Sequence, residues 1–318
     1  MTLALVPTDE LLADVLPTSR LQANGMAIAA LRGQFRHIDD WRNARAVTMV
    51  WIWTALLAFA GSHWGVAAAL TAFVLMGPMH ARFAILMHES AHRLLFSNKR
   101  TNDDVGTWLI AYPALVPIAL YRRGHLAHHR DEFGPDEPDM AFYWGYPCEP
   151  RDLYRRLLRD AVGISGYKNF RALVAASARR SSRSVALCIL GVQVGLFALF
   201  WLGTGAWWSY LVFWWLPWMT QWRVLNRLRA IAEHGGMSRS DDRRRTTHNV
   251  RQHWIARFWF VPYNTGWHLA HHVDMGVPWH NLRAYHQELR RAGYVTDQIT
   301  FENYFGLWRA AVSARTPS

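Results

Sequence analysis

The sequence predicts an all-α integral membrane protein, with four transmembrane helices paired into two hairpins and a helical cap on the cytosolic side. Three observations lead there. Hydrophobic residues make up 51 % of the 318, with 18 tryptophans, and charged residues only 18 %, against about 25 % in a typical soluble chain. The apolar residues are gathered into long runs, so the mean hydropathy of −0.07 averages two unlike populations. The net charge of +12 comes almost wholly from arginine, and the arginines stand beside the apolar runs. That placement fits an acidic membrane surface, and nucleic acid is not an expected partner. Cys148 and Cys188 lie in unrelated contexts, which excludes a disulfide framework or a zinc-binding cysteine set.

Residues 1–45 form an N-terminal cytosolic segment. Its mixed, acidic start is not a secretory signal, and Thr8 to Leu16 has the pattern of a short amphipathic helix. From Ala46 to Met79 the chain is almost continuously apolar, broken by Gly61-Ser62-His63-Trp64-Gly65. This suits two spans, 46–62 and 64–84, joined by a tight turn. A second pair, 185–202 and 206–222, is joined by Gly203-Thr204-Gly205. Neither connector carries a charge, whereas residues 121–184 hold 12 Lys+Arg and residues 223–318 hold 14. The asymmetry puts both tight turns outside and the rest in the cytoplasm, across a membrane expected to be the bacterial inner membrane. Val105 to Leu120 is apolar but short and contains Pro113 and Pro117. It reads as a re-entrant or interfacial segment. The second span is expected to continue as a helix beyond the membrane to His88 and His92, and the fourth to His234. Residues 151–162 have the pattern of a helix lying on the membrane surface. Residues 46–290 make up the membrane domain, and 291–318 a C-terminal cytosolic tail.

Sixteen histidines are present, and eight fall into three clusters. His88-Glu89-Ser90-Ala91-His92 places two imidazoles one helical turn apart. His125-Leu126-Ala127-His128-His129 and His268-Leu269-Ala270-His271-His272 repeat one another as H-x-x-H-H. A lone imidazole on an apolar face is ordinarily a core residue, but a repeated motif of this kind points to metal ligation. Eight or nine neutral nitrogens are too many for one tetrahedral zinc and suit two metal ions. Imidazole accepts iron, copper, zinc and nickel alike, so ligand type alone does not choose the metal.

The spacing resembles that of the membrane-bound fatty acid desaturase and hydroxylase superfamily, whose three histidine boxes are H-x3-H, H-x2-H-H and H-x2-H-H. The stretch from His128 through Asp136-Glu137-Pro138-Asp139 is similar to the segment after the family's second box. Val261 to His268, then Val277-Pro278-Trp279, resembles the surroundings of the third. Ala232-Glu233-His234-Gly235-Gly236 is similar to a segment that supplies an additional ligand. The resemblance covers about residues 45–290. It implies a di-iron centre held by His88, His92, His125, His128, His129, His234, His268, His271 and His272. His248 competes with His234 for the ninth place. Ala270 departs from the family, where glutamate is common. Glu89, Glu233, Asp139 and Asn264 are expected to support the ligand imidazoles. His37, His63, His80, His253, His280 and His286 are expected at the surface or at interfaces, away from the centre.

The implied activity is oxygen-dependent desaturation of an unactivated C–C bond in a fatty acyl or related lipid chain, with O2 as co-substrate. A hydroxylase or ketolase acting on a lipid or carotenoid is the nearest alternative. A zinc protease reading of His88-Glu89-Ser90-Ala91-His92 as H-E-x-x-H leaves the two H-x-x-H-H boxes unexplained. A non-catalytic membrane metal-binding protein predicts ligands strung through the spans, not gathered on one side. No fused electron-transfer motif is visible. A separate carrier, such as a ferredoxin with its reductase, is therefore the expected electron donor.

Overall fold

The computed structural model describes residues 4–135 and 137–312, so Asp136 lies outside the described residues. The chain is mostly helical and divides into two compact units. One comprises Asp39–Arg122 and Arg155–Asn226; the other comprises residues 4–38, Arg123–Tyr154 and 227–312.

The first unit is built on long apolar helices. Asp39 caps the helix Asp40–His63 by accepting from the Arg42 amide, which satisfies one of the orphan donors at a helix start. Gly61 lies where a Cβ would stand 2.5 Å from the Phe213 ring and 2.8 Å from Ala72. A larger residue there would separate these segments. The next helix, Gly65–Ala91, runs unbroken through His88 and is capped by His92, as expected from the sequence. Pro78 lies inside it and deprives the preceding turn of a donor. Gln221 Nε2 donates to the nearby Phe73 carbonyl at 2.8 Å. A third long helix covers Arg183–Thr204. Among the described residues, three helices are long and apolar enough to cross a membrane: the one ending at His63, Gly65–Ala91 and Arg183–Thr204.

The segment expected as a fourth span, 206–222, is not one regular helix. It contains a π-helical stretch, Leu211–Trp215, then Leu216–Met219, and a new helix from Gln221 to His234. Pro217 cannot donate to the turn before it, and Thr220, at φ −118° and ψ −79°, marks the break. Val105 to Leu120 is also divided, into a π-helical stretch Gly106–Ala111, a turn with Leu115 at φ +58°, and the start of the helix Ile118–Arg130. Its carbonyls are used by side chains: Gln193 donates to Tyr112 at 2.8 Å and Trp218 to Ala114 at 2.9 Å. Residues Pro150–Ala161 form the expected helix.

The second unit has shorter elements around two cores. One gathers Leu21, Phe35, Leu269, Val273, Leu282, Tyr285 and Leu289. Arg36 ties the N-terminal segment to this core through both Asp274 oxygens, at 2.7 and 3.0 Å. The other gathers Ile231, Val250, Val261, Phe301, Tyr304 and Leu307. Asn249–Val250 and Thr300–Phe301 pair in parallel across this second core. The stretch after residue 290 is folded into the unit through Tyr294, Val295, Phe301 and the helix Tyr304–Ala311. The amphipathic helix expected over Thr8–Leu16 is reduced to one 3-10 turn, Asp9–Leu11. Thr8 makes no side-chain cap there, and Val15 and Leu16 pack instead against the Leu21 core.

Candidate metal centre

In the first unit, helical spacing brings the His88 and His92 rings to 4.7 Å. The fully buried Glu89 carboxylate lies 3.4 Å from His88 Nδ1. The chain leaving this turn is fixed by Asn102, whose Oδ1 accepts from the Leu95 and Phe96 amides while Nδ2 donates to the Ser90 carbonyl. Arg122 donates to the carbonyls of Ser90 and Ala91.

The second unit carries the other two boxes. His125, His128 and His129 lie in the last turns of the helix Ile118–Arg130, and box three forms the helix His268–Val273. Tyr263 and Asn264, both with positive φ, turn the chain into box three. His234 is the last residue of its helix, which Gly236 ends at φ +77°. That left-handed conformation suits glycine after a helix C-terminus. All seven of these histidines are buried.

Their nitrogens converge in two groups. His268 Nε2 lies 3.1 Å from His234 Nε2 and 3.0 Å from His272 Nε2. His129 Nε2 lies 3.1 Å from His125 Nε2 and 3.0 Å from His271 Nε2. His128, His234 and His272 also offer ligand atoms within 4.8 Å of one another. The outer nitrogens of these last three rings are committed elsewhere. His234 Nδ1 donates to the Thr246 carbonyl at 2.9 Å, His272 Nδ1 to Glu132 at 2.5 Å, and His128 Nδ1 to Glu137 at 2.9 Å. Each neutral ring then holds its lone pair on Nε2. His268 has one Nε2 proton at most, which can satisfy only one of its two neighbours. Lone pairs facing one another at this distance repel unless a cation lies among them, so the donor set fits a metal. Burial first, then the neighbouring imidazoles, holds His234 and His272 well below the usual histidine range. They are neutral at physiological pH, as ligands must be. Burial acts the same way on His128, but Glu137 outweighs it and raises that pKa.

Glu132 and Glu137 were not singled out from the sequence, although both lie in the acidic run that follows box two. Glu132 is 3 % exposed, and burial raises its pKa despite Arg243 beside it. Tyr143, also unforeseen, has its hydroxyl 3.3 Å from His128 Nδ1. Of the four supporting residues expected, Glu89 stands beside His88 and Glu233 lies 3.5 Å from His268 Nδ1. Asp139 offers a ligand atom within 4.8 Å of those of His128 and Glu137. The fourth, Asn264, has a side chain that accepts from Arg257 and donates to the Trp279 carbonyl. Its positive φ makes it a turn residue. His248 is turned elsewhere, with Nε2 donating to the Gly235 carbonyl at 2.8 Å and its ring against Phe301. Two histidines expected at the surface or at interfaces are buried. His80 pairs with the Trp214 carbonyl, and His286 lies against Trp267.

Converging imidazoles, three of them with outer nitrogens held by carboxylates or a carbonyl, mark a mostly helical protein with a histidine cluster that could hold metal. The fatty acid desaturase family model matches residues 62–300, and the chain belongs to that family. It is 27 % identical over 242 residues to dihydrorhizobitoxine desaturase of Bradyrhizobium elkanii, covering 70 % of this chain and 68 % of that protein. It is 25 % identical over 248 residues to a chloroplastic omega-6 fatty acid desaturase of Glycine max, covering 69 % of this chain and 55 % of that one. A Brassica napus protein of the same name is 24 % identical over 237 residues, covering 65 % of this chain and 51 % of its own. The chain thus spans about two thirds of the bacterial relative and about half of each plant relative. The family makes it a desaturase-type oxidoreductase, and among the described residues three helices are long and apolar enough to cross a membrane.

Proposed function

We propose that this chain is an O2-dependent di-iron desaturase that removes two hydrogens from adjacent carbons of a fatty acyl or related lipid chain. The observation that carries the reading is the convergence of imidazole nitrogens in two groups. The relatives support the reaction class, since each is named a desaturase. His88, His92, His125, His128, His129, His234, His268, His271 and His272 would hold the two irons, which when bound would supply oxygen activation at an unactivated C–H bond.

The chain's own residues prepare that chemistry. Glu132 and Glu137 fix the tautomers of His272 and His128 and supply negative charge near an all-histidine ligand set. Burial of the histidines keeps bulk water from the reacting atoms. The apolar helices present the lipid chain and set which carbon is attacked, because positioning decides the bond. The bent segment 206–222 serves as the fourth span, completing two hairpins, and the helical elements outside the spans form the cytosolic cap. Both termini and the centre face the cytoplasm of a bacterial inner membrane. Electrons come from a separate ferredoxin-like carrier with its reductase. An acidic carrier suits the arginine-rich surface, and turnover then slows at high salt.

The test is lipid mass profiling of cells that co-express a ferredoxin and its reductase, comparing wild type with His128→Ala. A histidine-dependent loss of two hydrogens supports desaturation. A gain of one oxygen replaces it with hydroxylation.

A further inference from the structure

We infer that Arg243 is a positioning residue that clamps box two to box three and thereby sets how tightly the site holds metal; this rests on the two-metal reading above. Its Nη2 donates to the main-chain carbonyl of His129 at 3.0 Å, and its Nη1 to Glu132 Oε1 at 2.5 Å. The same Glu132 oxygen accepts from His272 Nδ1 at 2.5 Å. One guanidinium therefore reaches the backbone of the last histidine of box two. Through one carboxylate it also reaches the ring of the last histidine of box three.

The chemistry of each partner explains the choice. The Glu132 side chain is 1 % exposed, and a buried carboxylate needs a compensating cation. Arg243 supplies it while remaining 28 % exposed. The charge on Glu132 makes His272 a better donor through Nε2 and holds its ring in one orientation. A lysine has the charge but not the rigid fork, so it cannot serve both acceptors in this geometry. Arg243 also lines an open polar cleft of about 400 Å³ that includes Arg130, Asp131, Arg239 and Asp241. Arg239 supplies an internal control. It lines the same cleft and pairs with the exposed Asp131 at 2.7 Å, not with Glu132.

The experiment uses the full chain in detergent, stripped of metal and reloaded anaerobically with Fe(II). Competition against a chromophoric chelator gives the affinity, the metal-to-protein ratio gives the stoichiometry, and circular dichroism reports the helix content. Arg243→Lys and Glu132→Gln are each expected to weaken Fe(II) binding about 10- to 100-fold with helix content unchanged. Arg239→Gln should bind as wild type does. Wild-type affinity in Arg243→Lys overturns the clamp, as does an equal loss in Arg239→Gln. If Arg243→Lys does not fold, the nearly isosteric Glu132→Gln decides in its place, with wild-type affinity overturning the inference. A wild-type chain that binds no iron defeats the underlying two-metal reading instead.

Discussion

In the unit formed by Asp39–Arg122 and Arg155–Asn226, side chains are placed by long helices and apolar packing. Phe83, Ile189, Phe213 and Trp214 are fully buried, and Trp214 stacks on Trp51 with ring centroids 5.7 Å apart. In the unit that carries boxes two and three, the elements are short. The imidazoles there are oriented by carboxylates, carbonyls and one arginine. The first arrangement tolerates changes of residue that keep apolar volume. The second depends on individual polar atoms, each of which leaves a buried partner unsatisfied if removed. Stability and metal binding should therefore be separable by mutation.

The largest effect should come from the histidines themselves. His272→Ala, which removes a ring contacted by His268, His234 and Glu132, should abolish detectable desaturation while the apolar helices remain folded. Product analysis and circular dichroism on one preparation check both halves. Next comes removal of the metal by a chelator. It should lower the melting temperature of the wild type, because a ligand that binds only the folded state stabilises it. It should not lower that of His272→Ala. Equal sensitivity in the two proteins would erase the distinction between the units.

The converse test is Gly61→Val. Its Cβ has no room between Phe213 and Ala72, so overpacking should cost about 1–3 kcal/mol while the metal-to-protein ratio of the folded fraction stays at the wild-type value. A smaller effect is expected at Asp242, which caps the helix Arg243–Thr246 through the Arg244 amide. Asp242→Ala should cost about 1 kcal/mol, measured by denaturant titration. Burial works against the Asp242 charge, but Arg244 and Tyr294 outweigh it and hold the pKa below the usual carboxylate range. The contribution of a group with a lowered folded-state pKa is present above its unfolded pKa and is lost as pH falls through the folded value. The difference between wild type and Asp242→Ala should therefore shrink in acid.

The two units also differed in how much of them could be read in advance. The helices ending at His63 and Ala91 and the helix Arg183–Thr204 follow from uninterrupted apolar runs, because composition alone makes such runs helical in a membrane. The break at Thr220 was less visible, since Pro217 lies in a run otherwise apolar enough to span. The three boxes announced themselves by repetition and spacing. Glu132, Glu137 and Arg243 did not. Glu137 acts on His128 only nine positions away, but the roles of Glu132 and Arg243 depend on contacts across large sequence separations, such as the 140 positions from Glu132 to His272. Asn264, a polar residue near box three, stands in a positive-φ turn and bonds Arg257 and the Trp279 carbonyl, contacts that its place in the sequence did not announce. The Thr8–Leu16 pattern was locally helical, but packing of Val15 and Leu16 on the Leu21 core prevailed.

The most direct test of the central claim is the iron content and Mössbauer spectrum of the purified, iron-reconstituted full chain. Two irons per chain with the signature of a coupled pair, lost together in His128→Ala, is the result this account predicts. A single iron, or two irons retained in His128→Ala, would contradict it.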